Sequence, residues 1–375
     1  MKILFILGTR PEAIKLAPLI LKTIDDKRFV PRLCVTAQHR EMLDQVLRVF
    51  RIKPHYDLNI MKENQSLFEV TSKSLTAIEG VLRKEKPDMV IVQGDTTSTF
   101  TASLASFYLK IPVGHVEAGL RTNYKYQPFP EEINRRLTTH IADLHFAPTN
   151  KARENLLKEG ISKDKITVTG NTAVDALLHI KTQLASNRKK TEKLKKEFPM
   201  LDGTLVLVTA HRRESFGEGF KNICSALREI AQRNPAITII YPVHLNPNVR
   251  GPVMRILKGI RNIHLIEPLE YETFVYLMMK SYIILTDSGG IQEEAPSLGK
   301  PVLVMRDVTE RKEAISAGVA RLVGTKKTSI VKAVEKLIYD KKAYREMTGH
   351  KNPYGDGLAS ERIIKALWEF KKKLN

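Results

Sequence analysis

Short apolar runs rich in Val and Ile alternate with longer amphipathic segments along the chain. Several runs are apolar at consecutive positions, which is typical of strands buried on both faces of a parallel sheet. Helix-length segments fit between nearly all of them, so the pattern predicts doubly wound α/β sheets. The predicted strands span residues 2–8, 32–37, 88–94, 112–118, 165–170, 204–210, 237–243, 262–268, 282–288, 301–307 and 319–324.

The strand–helix order runs twice along the chain. The first series ends near Gly170, and a Lys-rich helical segment separates it from a second series that starts at Leu205. A chain of 375 residues also exceeds what one compact core usually serves. We therefore expect two Rossmann-like domains facing a cleft, residues 1–170 and 171–359, with a last helix at 360–375 that packs back on the first domain.

The net charge of +20 makes a nucleic acid the first partner to consider. The charge is spread along the chain, with a local excess at residues 181–198, and no RNP, zinc-finger or basic-zipper pattern accompanies it. A solvated basic surface is therefore the favoured interpretation, and a small anionic substrate is compatible with it.

Cys34 and Cys224 are the two cysteines, and neither has a second cysteine at metal or redox spacing. The sequence thus predicts buried free thiols and offers no ligand set for structural zinc or an iron–sulfur cluster. No apolar run reaches the roughly 18 residues that a membrane span needs. The N-terminal run at 3–7 is too short for a signal peptide, so we expect a cytoplasmic protein.

Ligands of open α/β sheets bind beyond the carboxyl ends of the strands, so the polar residues that follow strands are the candidates for chemistry. After the first strand, Arg10 and Lys15 lie at the N-terminus of a helix, which is a natural anion site. The alternative, a surface Arg and a solvated Lys, stays equally open. Neither a G-x-G-x-x-G nor a P-loop pattern is present, which disfavours NAD and P-loop nucleotides.

Three carboxylates follow strands or begin a helix in the first half. Asp95 follows residues 88–94, Glu117 ends the strand that precedes Gly119, and Glu131 begins a helix. Each has a structural alternative: an N-cap for Asp95, a buried pair with Arg121 for Glu117, and an i, i+4 salt bridge with Arg135 for Glu131. In isolation, two surface salt bridges, Glu131 with Arg135 and Glu132 with Arg136, are the favoured interpretation of this segment.

The second half offers a site for phosphate. His211 follows residues 204–210, and Ser288 with two glycines opens a helix after residues 282–288, where backbone amides would close on a phosphate. Glu294 lies about one turn into that helix, where it could hold ribose hydroxyls, and Arg311 adds a cation.

These motifs combine into a pattern that covers nearly the whole chain. Together they resemble the non-hydrolysing UDP-N-acetylglucosamine 2-epimerases, and the combination is highly specific. Hydrolysing relatives carry Asp-Tyr-Gly where this chain has Pro11-Glu12-Ala13, which favours release of the product as a UDP sugar. The matching segments are 8–19, 36–47, 93–99, 115–121, 128–136, 209–217, 241–250, 285–311 and 352–357.

The resemblance implies a fold like that of the GT-B glycosyltransferases, a homodimer, and no metal or nicotinamide cofactor. It also assigns residues to three sets. The catalytic positions are Asp95, Glu117, Glu131 and His211, with Arg135 beside them. The positions for UDP and its phosphates are Arg10, Lys15, His211, Phe274, Ser288, Gly289, Gly290, Glu294 and Arg311. A second, allosteric UDP-N-acetylglucosamine site would use Gln38, His39 and Gln65, although Glu41, Asn64 and Leu269 depart from the family pattern there.

The chemistry of such an epimerisation explains the need for several acids. The proton on C2 of the sugar lies next to no carbonyl, and oxidation would need a nicotinamide. The remaining route is anti-elimination of UDP to 2-acetamidoglucal, followed by re-addition with a proton delivered to the other face. The product, UDP-N-acetylmannosamine, would supply cell-surface polysaccharide synthesis. The main alternative is a GT-B glycosyltransferase with a UDP-sugar donor, and a nucleic-acid-binding protein is the second.

Overall fold

The computed structural model describes residues 1–36, 40–60, 65–201 and 203–374. The chain divides into two compact units. Unit 1 comprises Met1–Ala176 and Gly355–Asn375, and unit 2 comprises Leu177–Tyr354. Within the described ranges, no helix has the length and apolar character that crossing a membrane requires.

Unit 1 is built on a seven-stranded parallel sheet of order β3-β2-β1-β4-β5-β6-β7. The central strand β1 is buried on both faces from Ile3 to Leu7, as its continuous apolar run requires. It pairs with β2 on one side and β4 on the other. The strands are β1 (Lys2–Leu7), β2 (Val30–Val35), β3 (Tyr56–Asp57), β4 (Met89–Gln93), β5 (Val113–Val116), β6 (Leu144–Ala147) and β7 (Ile166–Val168).

Four helices of unit 1 begin at side-chain caps that the sequence supplies. Thr9 and Ser66 open capping boxes, and Thr96 and Thr149 accept a backbone N–H of the first turn that follows. The helices are α1 (Arg10–Asp25), α2 (Arg40–Val49), α3 (Leu67–Glu85), α4 (Thr97–Tyr108), α5 (Glu131–Ile141), α6 (Asn150–Lys158) and α7 (Thr172–Ser186), which belongs to unit 2 from Leu177 onward.

Unit 2 contains a six-stranded parallel sheet of order β10-β9-β8-β11-β12-β13. In its core, one face of the sheet packs against helices that contribute Phe220, Leu227 and Val334. The fully buried Tyr241 of the sheet belongs to the same cluster. The strands are β8 (Thr204–Thr209), β9 (Ile237–Pro242), β10 (Ile263–Ile266), β11 (Ile283–Thr286), β12 (Val302–Val304) and β13 (Ala320–Leu322). The helices are α8 (Arg188–Glu197), α9 (Glu218–Arg233), α10 (Pro247–Leu257), α11 (Tyr271–Lys280), α12 (Gly289–Glu294), α13 (Lys312–Ser316), α14 (Lys327–Tyr339) and α15 (Lys341–Thr348).

The chain ends with α16 (Ala359–Leu374), which belongs to unit 1 and packs against α1. Its first amides, on Ala359 and Ser360, donate to the buried carboxylate of Asp175 at 3.2 and 2.7 Å. Near its other end, the Trp368 ring meets Phe29 edge to face at 6.1 Å.

The predicted fold class is confirmed, since both sheets are parallel and are arranged as two Rossmann-like domains. All eleven predicted strands occur in the structure. Two observed strands were not predicted. β3 has two residues at the sheet edge, and β6 is the four-residue run LHFA, in which His145 interrupts the apolar pattern.

Candidate active site

Strands β1, β4 and β5 are hydrogen-bonded neighbours, so the segments that follow them lie along one edge of the unit 1 sheet. Arg10 and Lys15 follow β1 in the first two turns of α1. The Lys15 ammonium forms an ion pair with Oε2 of Glu117, which follows β5. The structure therefore brings together a cation and a carboxylate that are 102 positions apart in the chain.

Glu117 adopts a strained backbone, with φ at 65°. This left-handed conformation is uncommon for a residue with a side chain and costs on the order of 1–3 kcal/mol. Asn171 also donates to its Oε2 at 3.2 Å, so two elements hold the carboxylate. The alternative partner, Arg121, instead pairs with Glu159 at 2.7 Å.

Asp95 follows β4 and is held by helix α5. Its Oδ2 receives a hydrogen bond from Nη2 of Arg135, and its backbone oxygen accepts from Nδ2 of Asn134 at 3.1 Å. A Cβ atom placed on Gly94, the residue before it, would lie 4.0 Å from Oε1 of Glu117. The segments that follow β4 and β5 thus lie side by side.

The buried carboxylate of Glu132 organises the start of α5. It accepts from Arg135 at 3.3 Å, from Arg136 at 3.1 Å, and from the backbone amides of Thr122 and Asn123. Arg135 therefore bonds to Asp95 and Glu132, and the i, i+4 salt bridge considered for Glu131 is not the arrangement observed.

Glu131 is the first residue of α5. Within the described ranges, its Oε2 is buried and has no hydrogen-bond partner. Leaving a buried acceptor unsatisfied costs on the order of 1–3 kcal/mol. Such an atom is a candidate for contact with a ligand or for proton transfer.

His211 follows β8 in unit 2 and is positioned by Asp287, which lies just after β11. The buried Asp287 carboxylate accepts the backbone amides of His211 and Arg212 at 2.6 and 2.7 Å. Its Oδ1 lies 3.6 Å from Nδ1 of His211. Partial burial lowers the pKa of the His211 imidazole, and the Asp287 charge opposes this shift.

Ser288, Gly289 and Gly290 form the start of α12, with Ser288 as its N-cap. The Arg311 guanidinium lies directly over Gly289, because a Cβ atom there would be 3.1 Å from Arg311 Cζ. Arg311 is held by Glu293 at 2.9 Å and by Glu310 at 2.7 Å. This places a fixed cation beside the first residue of α12.

Glu294 lies at the end of α12 and accepts a hydrogen bond from the Tyr271 hydroxyl at 2.9 Å. Phe274 is half-buried one turn after Tyr271 on α11. Since positions i and i+3 share a helix face, Tyr271 and Phe274 lie on the same side of α11.

Of the second-site positions, Gln38 and His39 lie outside the described residues. Gln65 directly precedes Ser66, the N-cap of α3. Both cysteines are buried free thiols, which confirms their predicted state. In the described part of the chain, no three His, Cys, Asp or Glu side chains are grouped closely enough to hold a metal ion.

Several residues that shape these clusters were missed from the sequence. In unit 1, Asn171 and Glu132 each form a hydrogen bond with a predicted site residue. In unit 2, Asp287, Tyr271 and Glu310 form a hydrogen bond or an ion pair with one. Asp287 follows a strand in the same way as Asp95, so the strand-end rule points to it as well. Asn171 carries no comparable signal, because its partner Glu117 is 54 positions away in the sequence. Glu132 does carry a local signal, since it bonds to Arg135 and Arg136 three and four positions along α5.

The fold and the clusters together define a two-domain Rossmann-like α/β protein with paired acidic and basic side chains after its strands. A family model described as UDP-N-acetylglucosamine 2-epimerase matches residues 22–368. The chain belongs to the UDP-N-acetylglucosamine 2-epimerase family, and it is accordingly an isomerase.

Close relatives match over almost their full length. The UDP-N-acetylglucosamine 2-epimerase of Yersinia pestis is 58% identical over 369 residues, covering 98% of both chains. That of Escherichia coli K12 is 56% identical over 369 residues, also covering 98% of both. The crystal structure of the Neisseria meningitidis enzyme bound to UDP-GlcNAc superposes with a TM-score of 0.93 at 53% identity, covering 98% of this chain and all of that one.

Proposed function

We propose that this protein interconverts UDP-N-acetylglucosamine and UDP-N-acetylmannosamine by elimination and re-addition of UDP. The observation that carries the proposal is that Asp95 and Glu117 follow the neighbouring strands β4 and β5, and that α5, which begins with Glu131, bonds to Asp95 through Arg135. Inversion at C2 needs a base on one face of the sugar and an acid on the other. The similar Neisseria meningitidis 2-epimerase was crystallised with UDP-GlcNAc bound, which supports UDP-N-acetylglucosamine as the substrate.

The acidic residues carry the proton transfers in this proposal. One carboxylate removes the C2 proton while UDP leaves from C1, which gives 2-acetamidoglucal. A second acid then delivers a proton to the opposite face of C2 while UDP adds back to C1 across the double bond. Lys15 keeps Glu117 oriented, Arg135 keeps Asp95 oriented, and the unsatisfied oxygen of Glu131 is available to the sugar.

The residues of unit 2 hold the UDP. Arg311, the Ser288 hydroxyl and the backbone amides of Gly289 and Gly290 bind the phosphates and stabilise the charge that develops as UDP leaves. His211, which lies beside Asp287, contributes to the same stabilisation. The Glu294 carboxylate, which the Tyr271 hydroxyl orients, accepts hydrogen bonds from the ribose hydroxyls. Phe274 packs against the uracil.

A conversion assay with UDP-N-acetylglucosamine alone tests the function. The proposal predicts UDP-N-acetylmannosamine without any acceptor molecule, approaching an equilibrium from either sugar. A glycosyltransferase would leave the nucleotide sugar unchanged until an acceptor is supplied. Absence of conversion in a folded sample that binds UDP would contradict the proposed function.

Substitutions of the acids test the assignment. Asp95→Asn and Glu131→Gln keep the side-chain shape and remove the ability to take a proton. Turnover should fall by about 10²-fold or more, while the Kd for UDP stays close to wild type because neither residue is assigned to the phosphates. Equal losses of UDP affinity and turnover would contradict the assignment.

An isotope label tests the elimination. If the C1–oxygen bond breaks, oxygen-18 placed in that bridge should scramble into non-bridging oxygens of the β-phosphate, because the phosphate rotates before re-addition. Mass-sensitive ³¹P NMR of the recovered substrate measures this scrambling. Epimerisation that leaves the label entirely in the bridge would exclude the mechanism.

We further propose that the protein is a cytoplasmic homodimer whose product supplies N-acetylmannosamine units to cell-surface polysaccharides. Multi-angle light scattering measures the oligomeric state.

We also propose an activating UDP-N-acetylglucosamine site at Gln38, His39 and Gln65. If this site exists, the initial rate of the reverse reaction, from UDP-N-acetylmannosamine, should rise when a small amount of UDP-N-acetylglucosamine is added.

A further inference from the structure

Glu12 is a buried carboxylate in the first turn of α1, and the reaction proposed above leaves it without a part. Its Oε2 accepts the backbone amides of Gly8 and Thr9 at 3.1 and 2.7 Å and the Thr9 hydroxyl at 2.7 Å. These hydrogen bonds close the capping box at the start of α1.

The other carboxylate oxygen reaches a different element. Oε1 of Glu12 accepts the Thr96 hydroxyl at 2.8 Å and lies 3.2 Å from that of Thr99. Thr96 is the N-cap of α4 and immediately follows Asp95. One side chain therefore joins the turn after β1 to the turn after β4.

Helix capping alone does not explain the burial of Glu12. The capping box of α3 uses the same pattern, with Glu69 bonded to Ser66, and its side chain is exposed. Glu12 is only 1% exposed, and burial raises its pKa while the hydrogen bonds from Thr9 and Thr96 oppose the shift. Since burying a carboxylate costs free energy, the contact with the second turn requires a reason of its own.

We propose that Glu12 is a positioning residue that fixes the Asp95 carboxylate relative to Arg10 and Lys15. The inference rests on the proposed function, which gives Asp95 and Lys15 their roles. Because Lys15 also orients Glu117, the hydrogen bonds of Glu12 would fix the positions of both acids, Asp95 and Glu117, relative to α1. A displacement of a catalytic group by about 1 Å costs on the order of 10²-fold in rate.

Two substitutions distinguish the hydrogen bond between Glu12 and Thr96 from the capping of α1 by Glu12. Glu12→Asp retains the charge and a capping carboxylate, but it is one methylene too short to span to Thr96. Glu12→Gln keeps the length, and its amide N–H would donate to the threonine oxygens. We expect Glu12→Asp to lower kcat about 10- to 100-fold with KM and the UDP Kd within about threefold, and Glu12→Gln to retain most of the kcat.

The matched control is Glu69→Asp, which makes the same change in the exposed capping box of α3 and should leave kcat unchanged. A second pair covers the case in which Glu12→Asp does not fold. Thr96→Val removes the hydroxyl that bonds to Glu12 and should lower kcat, while Thr96→Ser keeps the hydroxyl and should restore it.

The outcomes distinguish a failure of the role proposed for Glu12 from a failure of the proposed function. If wild-type protein converts UDP-N-acetylglucosamine but Glu12→Asp, or in its place Thr96→Val, keeps its kcat, Glu12 is only a structural link and the inference is overturned. A fall in melting temperature without a fall in kcat leads to the same conclusion. If wild-type protein fails to convert the substrate, the proposed function itself fails.

Discussion

At the residue scale, the environment of each polar side chain decides what it can do. Residues 131 and 132 are both glutamates at the start of α5, yet Glu132 is saturated with hydrogen bonds and Glu131 has a buried, unsatisfied oxygen. Strand-end position predicted Asp95, Glu117 and His211 from the sequence. The residues that hold them, Asn171 and Arg135 among others, depend on contacts between distant segments, which no local pattern reveals.

His211→Ala should weaken catalysis far more than it weakens folding. The backbone amides at positions 211 and 212 would still bond to Asp287, so the local chain keeps its anchor. We expect kcat to fall by about 10²-fold, as for loss of a preorganised electrostatic group, with a melting temperature near that of wild type. A variant that keeps most of its activity would show that the assigned role is wrong.

Gly289→Ala should weaken UDP binding, because the new Cβ atom would lie 3.1 Å from Arg311 Cζ and push the guanidinium away. We expect the Kd for UDP, measured by calorimetry, to rise about tenfold, equivalent to about 1.4 kcal/mol. Gly251→Ala is the control, since its Cβ would point into open space on α10. Equal affinities for the two variants would argue against Arg311 as a phosphate ligand.

Glu310 gives a pH-dependent contribution to stability. Burial alone would raise its pKa, but the charges of Arg311 and Arg306 and a backbone hydrogen bond outweigh it and lower the pKa to about 2. A depressed carboxyl pKa contributes stability above the unfolded value near 4.5, and that contribution is lost as pH falls toward 2. The difference in melting temperature between wild type and Glu310→Gln should therefore narrow from pH 7 to pH 3.5. A constant or widening difference would contradict this account.

At the element scale, the sequence predicted most strands because a parallel sheet demands continuous apolar runs. It missed β6, where His145 lies in the middle of the run, and β3, which is too short to give a pattern. The last helix was predicted as an amphipathic segment, but its anchor was not. Asp175, located on α7, accepts the first amides of α16 from 184 and 185 positions away.

Asp175→Ala should loosen the start of α16 by removing the acceptor of two buried amides. Each amide left unsatisfied costs on the order of 1–3 kcal/mol, so hydrogen exchange at residues 359–363 should accelerate by at least about tenfold. Asp340→Ala, which removes an exposed N-cap on α15, is the control and should leave exchange in α16 unchanged. Unaltered exchange in Asp175→Ala would show that packing against α1 alone holds the helix.

At the scale of the whole molecule, two parallel sheets divide the proposed work. The unit 1 sheet presents acids and the cations that orient them, and the unit 2 sheet presents a histidine, an arginine and a glycine-rich turn. The order of elements along the sequence was sufficient to predict this two-sheet architecture. The net charge of +20 was not informative about function, because the ionic contacts that matter are a few pairs near strand ends.

Turnover in heavy water tests the central claim most directly. Purified protein is incubated with UDP-N-acetylglucosamine alone in D₂O, and the sugar C2 position is followed by ¹H NMR. The account predicts UDP-N-acetylmannosamine with deuterium at C2, because the abstracted proton reaches a carboxylate that exchanges with solvent. Epimerised product that retains its original hydrogen at C2, or no epimerisation at all, would contradict the account.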